Sequence, residues 1–346
     1  MINTIKHVLF KIHYVFWWLK RHVINQIITG HPCKIWHYVK TFLFNRFFDY
    51  PRMAIIETGT ACNLRCATCP TPQYAIGRPP TLMSLEVFKQ IVDRIKNYTY
   101  LALLHSVGEP LLNPHLPEMI EYANRNNLYT FFSTNCTLLN EKKADEILRS
   151  GLDEIWLCLD GMTKEAYESF RVGANFETVM KNIQYFCAEK KRRGLVKPFI
   201  ELQFIVTKLN QNQVEEVKKL AKELDVDRLH IKPLAISECA YPESERNMLM
   251  DKFLPTNWDA KIRYLRDEKG IITRRTLTHC TTVKKQIWIF IDGRMALCCY
   301  DIRGEYCYGN VLDKPFKDIW FDPVVVAKRR LAEKRGYPIC NKCELY

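Results

Sequence analysis

Three cysteines, Cys62, Cys66 and Cys69, stand at CxxxCxxC spacing directly after the apolar run Met53-Ala54-Ile55-Ile56. That run reads as a strand entering a loop. Thiolates so spaced can converge on one iron–sulfur cluster, for which cysteine thiolates are the usual ligands. A four-iron cluster held by only three of them leaves one iron open, which suits binding of a substrate or cofactor rather than electron storage alone. Taken by itself, the triad also fits a zinc site or three buried free thiols.

The elements that must position this loop follow a βα rhythm. Short β-rich runs at 53–58, 100–106, 128–133, 154–159, 199–207 and 228–233 alternate with amphipathic helical stretches. Ser84 is a candidate N-cap for the first helix, and Gly151 a stop for the one that starts at Asn140. Six strand–helix units are too few for a closed eight-unit barrel. The expected fold is therefore α/β, a partial (β/α)6 TIM-like barrel over residues 53–234, with its chemistry at the C-terminal ends of the strands.

Polar segments stand at those ends. Gly108-Glu109-Pro110 follows the second strand, Ser133-Thr134-Asn135 the third and Asp160-Gly161 the fourth, with Arg171 further on in Phe170-Arg171-Val172-Gly173. Each alone also marks an ordinary turn. With the cysteine triad, and in this order, they resemble the radical S-adenosylmethionine (SAM) superfamily. Val107 stands where the family has the first glycine of Gly-Gly-Glu-Pro, and Cys158 stands where serine is common in its Ser-Leu-Asp-Gly. The resemblance implies that Cys62, Cys66 and Cys69 hold a 4Fe-4S cluster whose open iron binds SAM through its amino and carboxylate groups. It further implies that the reduced cluster yields a 5′-deoxyadenosyl radical, which abstracts substrate hydrogen, with an external donor such as flavodoxin or ferredoxin. Gly108, Glu109, Pro110, Ser133, Asn135, Asp160 and Arg171 are then the expected SAM-binding segments.

Inside the barrel, Glu201 and Gln203 share one face of the fifth strand, and His230 and Lys232 one face of the sixth. Pointed inward, they are candidates to bind substrate or take its proton; a barrel-lining hydrogen-bond role is the plainer reading of each.

The remaining cysteines return near the end. Cys280 precedes two short strands, 286–291 and 294–299, joined at Asp292-Gly293, which is hairpin turn chemistry. Cys298 lies five positions after Gly293, and Cys340-Asn341-Lys342-Cys343 follows. This resembles the SPASM/twitch extension of the same superfamily. It implies one auxiliary 4Fe-4S cluster on Cys280, Cys298, Cys340 and Cys343, with Cys299 the alternative to Cys298 and a zinc ribbon the competing site. Only Cys307 lies between hairpin and terminal pair, too few for a second auxiliary cluster. Cys33, Cys136, Cys187 and Cys239 read as structural thiols. Residues 235–279, charged and without clear periodicity, read as a linker to this 280–346 domain.

Fourteen cysteines in a 346-residue chain, clustered at short spacings, favour cluster ligation in a reducing cytoplasm over a disulfide framework. The net charge of +13 is uneven: residues 1–52 hold eight Lys/Arg against the single acid Asp49. That extension is also rich in Phe, Tyr and Trp. Packing of its rings across the open side of the barrel, peripheral contact with an anionic membrane and nucleic-acid binding compete for it. No RNA-binding module follows, so no nucleic-acid partner is expected. For membrane contact, Trp17 and Trp18 would broaden an apolar face with Phe10 and Tyr14, flanked by Lys11, Lys20 and Arg21. The expected activity is dehydrogenation of a small or lipid-linked substrate, a sugar among the candidates. Ribosomal-peptide modification is the alternative, and a non-catalytic iron–sulfur carrier or redox sensor is the reading from another class.

Overall fold

The computed structural model describes residues 18–71, 76–237, 240–256, 264–266, 272–274, 278–341 and 343. Six strands, β1 (Met53–Ile56), β2 (Leu101–Leu103), β3 (Tyr129–Thr134), β4 (Glu154–Cys158), β5 (Phe199–Val206) and β6 (Arg228–Pro233), pair in parallel in chain order. Helices return between them, several started by side-chain caps: Ser84 accepts from the Val87 amide, Asn140 from Lys143 and Asn175 from Thr178. Alternation along the strands separates two faces. Ile155, Leu157, Ile200, Leu202 and Phe204 pack outward against the helices in the main core, whereas Ile55, Leu103, Tyr129 and Phe131, with Trp156 beside them, pack within the lumen.

Two short strands, β7 (Tyr264–Arg266) and β8 (Ile272–Arg274), form a separate antiparallel pair. The final strands, β9 (Gln286–Ile289), β10 (Arg294–Ala296) and β11 (Gly309–Asn310), continue the barrel sheet beyond β1. β9 runs parallel to β1, from Met53 opposite Gln286 to Ile56 opposite Ile289, and β10 returns antiparallel to it. The C-terminal hairpin is thus an extension of the barrel's first edge. Arg78 fastens the junction: its guanidinium is bidentate to Glu57, donates to the Ile302 carbonyl and stacks 4.1 Å from the Phe290 ring centroid.

The stretch 235–279 is more structured than its sequence suggests. It holds the helix Glu243–Phe253, and Phe170, Leu234, Ile236, Tyr241 and Phe253 form a satellite core there. Helical periodicity was hidden because this helix buries only Met250 and Phe253.

The basic N-terminal arm lies under the N-terminal ends of the strands. Its helix Pro32–Phe48 and the preceding turns at 18–28 close the bottom of the lumen. Arg21 pairs with Glu154 at the start of β4, and Lys20 with Asp227 just before β6. Lys34 and Lys197 both bind Asp153, at 2.6 and 2.7 Å. His22 stacks on Tyr38 and lies 4.6 Å from the Tyr129 ring centroid; burial holds its pKa down at about 3, so the imidazole stays neutral. This corrects part of the membrane expectation. Trp18 packs against Tyr38, and Lys20 and Arg21 face buried carboxylates, so none of the three flanks a lipid-facing surface. Phe10, Lys11, Tyr14 and Trp17 lie outside the described residues. What the arm does expose is a different apolar face: Ile24, Ile27, Ile28, Trp36, Leu43 and Phe47.

Candidate active site

The cysteine loop leaves β1 at its C-terminal end and is stitched to its surroundings through its backbone. Arg65 and Ala67 donate to the carbonyls of Val172 and Phe170, and the Tyr241 hydroxyl donates to the Cys69 carbonyl at 3.0 Å. Behind the loop, the Glu109 amide donates to the Ala61 carbonyl. Gly108 sits at φ 78°, and a Cβ there would lie 2.6 Å from that carbonyl and 2.7 Å from Gly59 O. Only glycine allows this approach. Val107, at the family's other glycine position, is simply buried.

Glu109 is buried and points into the fold. Its carboxylate accepts from Thr134 Oγ1 at 2.8 Å, the Asn135 amide at 2.9 Å and the Leu111 amide at 3.1 Å. It therefore clamps the ends of β2 and β3 together, and the buried Pro110 begins the turn that follows. Asn135 carries the clamp to the cysteine loop by donating to Asn63 at 3.0 Å. Asp160, fully buried after β4, accepts from the Ile205 amide and from Arg171 Nε, both at 2.6 Å. The same guanidinium reaches Cys66 Sγ at 3.6 Å. Burial opposes the Arg171 charge, but Asp160, Cys66 and Cys158 hold its pKa well above the ordinary value. A cation fixed against a cysteine of the triad fits a site for thiolates. Burial pushes the Cys62 thiol up to about 11 and raises Cys69, and a bound metal would take the protons of both.

Below the loop a polar ladder crosses the lumen. Ser133 Oγ lies 3.1 Å from Cys158 Sγ, and Cys158 lies 4.0 Å from Gln203 Oε1, which also accepts from Lys232 at 3.2 Å. Gln203 Nε2 donates to Glu201 at 2.7 Å, and His230 Nδ1 lies 3.0 Å from the same carboxylate, with Arg228 at 3.3 Å. Burial works against the Glu201 charge, yet His230, Arg228 and Gln203 hold its pKa below the usual value. Glu201 is an anion that fixes His230. The structure brings Glu201, Gln203, His230 and Lys232 together with Ser133, while Asn135, Asp160 and Arg171 stand at the cysteine loop above. His105, near Lys232, was not singled out from the sequence. Burial lowers its pKa to about 4, and its Nδ1 atom is buried without a hydrogen-bond partner. Its signal was the same alternation, two positions beyond the lumen residue Leu103.

Cys280, Cys298, Cys340 and Cys343 line one small cavity with Val283, Leu297 and Ile339. Four cysteines lining one hollow are the donor set that a cluster would take. Cys299 does not line it, although its thiol is hydrogen-bonded with that of Cys298 and lies near Cys343 and Cys280. The expected strand over 294–299 is shorter than the sequence suggests: β10 ends at Ala296, and both Cys298 and Cys299 lie in the bend beyond. Cys280 and Cys298 pack against the outer core, away from the lumen. They also flank the start of β9, whereas the triad follows the end of β1, so the parallel register separates the two sets by at least ~10 Å along the strands. Cys136 and Cys187 are buried and Cys33 is exposed; Cys307 donates to Gly304 O at 3.3 Å. Cys239 lies outside the described residues.

The family model described as the radical SAM superfamily matches residues 56–221, and that of an iron–sulfur cluster-binding domain, SPASM, matches 280–344. Together they span about two thirds of the chain. A tungsten-containing aldehyde ferredoxin oxidoreductase cofactor-modifying protein of Pyrococcus furiosus is 22% identical over 318 residues, covering 84% of this chain and 86% of that one. A mycofactocin maturase of Mycobacterium tuberculosis is 22% identical over 315 residues, covering 88% and 78%. Among solved structures, Streptococcus suis SuiB bound to its precursor peptide superposes with a TM-score of 0.59 at 14% identity, covering 91% of this chain and 76% of that one.

Proposed function

As the chain belongs to the radical SAM superfamily and ends in an auxiliary-cluster domain of the SPASM type, we propose that it oxidises its substrate by two electrons, one removed with a hydrogen atom and one from the resulting radical. The bound clusters and SAM supply the reductive cleavage, the hydrogen abstraction and an electron acceptor, with reducing electrons from a flavodoxin- or ferredoxin-like donor. The chain's own residues set where these happen. Cys62, Cys66 and Cys69 would hold the SAM-binding cluster, with Arg171 steadying Cys66. Asn135 and the Glu109 clamp keep the β2 and β3 ends against that loop. Glu201 orients His230 toward the lumen, where the imidazole can accept the proton that a substrate radical releases as it loses its second electron.

The observation that carries this reading is the lumen ladder from Ser133 to His230, which places a carboxylate-backed imidazole below the cysteine loop. The outer-face position of Cys280 and Cys298 supports an electron-accepting role for the auxiliary site rather than direct anchoring of substrate. Deuterium labelling tests the proposal. A substrate deuterated at the reacting carbon should give singly deuterated 5′-deoxyadenosine and a product lighter by one hydrogen and one deuterium. A product that keeps its hydrogen count would show a redox-neutral rearrangement instead.

A second reading, modification of a ribosomal peptide, is favoured by the comparisons. A maturase is among the relatives, and SuiB is solved with a precursor peptide bound.

The exposed apolar face of the arm supports peripheral contact with an anionic bilayer. Residues 1–48 carry seven Lys/Arg and no acid; Lys20, Arg21 and Lys34 are taken up by carboxylates under the barrel, and each of the other four contributes about 1 kcal/mol when near such a surface. Among the described residues no helix is long and apolar enough to cross a membrane. Deleting the arm would unplug the barrel, so point substitutions make the cleaner test. Wild type should sediment with phosphatidylserine vesicles at low salt and Trp36→Glu/Phe47→Glu should not; equal partitioning would remove the membrane role.

A further inference from the structure

Between the arm and the lower half of the lumen lies a cavity of about 710 Å³, of the size that holds a drug-sized ligand. One wall is apolar and largely aromatic: Trp18, Tyr38, Phe42, Leu101, Phe131 and Ile231. The other polar walls carry Arg21, Arg52, Arg228 and His230. Their charges do not cancel. Arg21 is neutralised by Glu154, and Arg228 shares Glu201 with His230. Among the described residues Arg52 has no carboxylate partner; its guanidinium lies 5.2 Å from the Phe42 ring centroid. The Asn45 Oδ1 atom, on the same lining, is buried without a hydrogen bond. A void of this volume, with a guanidinium at its exposed rim and an orphaned amide oxygen on its lining, is built to be filled, since a buried polar atom left unmatched is costly.

We propose that this cavity binds an amphiphilic anion, an apolar chain or ring system that ends in a single carboxylate or phosphate group. The apolar body lies against Tyr38, Phe42, Leu101 and Phe131. The anionic group is held by Arg52, the more exposed cation, with Asn45 accepting from any adjacent hydroxyl. His230 belongs both to the cavity lining and to the Glu201 ladder, so the opposite end of an occupant meets the residues that face the cysteine loop. As the tail site of the substrate, the cavity rests on the hydrogen-abstraction reading; as a binding site, it does not.

The test is equilibrium dialysis of the anaerobically reconstituted holoprotein, without SAM, against dodecyl phosphate and against dodecanol, the same chain without the charge. Wild type should bind one dodecyl phosphate per chain. Arg52→Gln, at an exposed position that leaves the fold intact, should weaken dodecyl phosphate about tenfold and leave dodecanol unchanged. Leu101→Trp, which fills the cavity, should weaken both by more than tenfold while iron content is retained. Absence of saturable binding below 1 mM (on the order of −4 kcal/mol) overturns the proposal. So does affinity unchanged in both variants, which would put the amphiphile on the outer face of the arm. SAM cleavage is read separately: a protein that binds dodecyl phosphate yet makes no 5′-deoxyadenosine refutes the enzymatic reading and keeps the site, and the reverse result removes the site alone.

Discussion

Replacing Cys62, Cys66 and Cys69 together by alanine should abolish 5′-deoxyadenosine formation and still leave about four irons per chain, those of the auxiliary cluster. The two ligand sets share no residue and lie at opposite ends of the β1–β9 pair, one following β1 and the other flanking the start of β9. The triad loop is held largely through its backbone, by Val172, Phe170, Tyr241 and Glu109, so the loop keeps its path without the sulfurs. Arg171 loses a thiolate partner in the variant but keeps Asp160. Iron measured by colorimetry and nucleoside measured by chromatography check this directly. Residual 5′-deoxyadenosine in the triple variant would mean that the triad does not bind the SAM-cleaving cluster, and loss of all iron would mean that the two sites do not assemble independently.

The second large effect concerns stability. Asp153→Ala should destabilise the fold by about 3–5 kcal/mol, the usual consequence of removing one partner from a buried ionic group. Asp153 accepts from Lys34, Lys197, Gln26 and the Thr130 amide, and every one of these contacts is buried. Burial alone would raise its pKa, but Lys34 and Lys197 hold it at about 2. For Lys34 the balance goes the other way: burial outweighs pairing and lowers its pKa to about 8. The loss arises from what the deletion uncovers, two ammonium groups sealed under the barrel. Chemical denaturation of the reconstituted protein measures it. A change below about 1 kcal/mol would show that the arm is not docked on Asp153.

What could be read in the sequence was local. The six barrel strands, the Ser84 cap, the helix start at Asn140 and the inward set of Glu201, Gln203, His230 and Lys232 all follow from period-two alternation and from cap and turn chemistry within short windows. What could not be read depends on partners far along the chain. Lys20 and Arg21 resembled lipid-seeking cations because Asp227 and Glu154 are 207 and 133 residues away. Pairing of β9 with β1 joins residues more than 230 positions apart, and no pattern inside Gln286–Ile289 announces it. Cys298 and Cys299 fall in a bend rather than on the expected 294–299 strand, because β10 stops at Ala296. Glu109 shows a related limit: its motif marks the segment, but only the donors from Thr134 and Asn135 show that its carboxylate clamps β2 to β3.

The most direct measurement is anaerobic incubation of the reconstituted wild-type protein with SAM and dithionite, followed by quantification of 5′-deoxyadenosine and methionine. Equimolar formation of the two, dependent on iron and absent from boiled protein, is the expected result if Cys62, Cys66 and Cys69 hold the SAM-cleaving cluster, with Arg171 against Cys66. Intact SAM after prolonged incubation, in protein shown to carry about eight irons per chain, would contradict it.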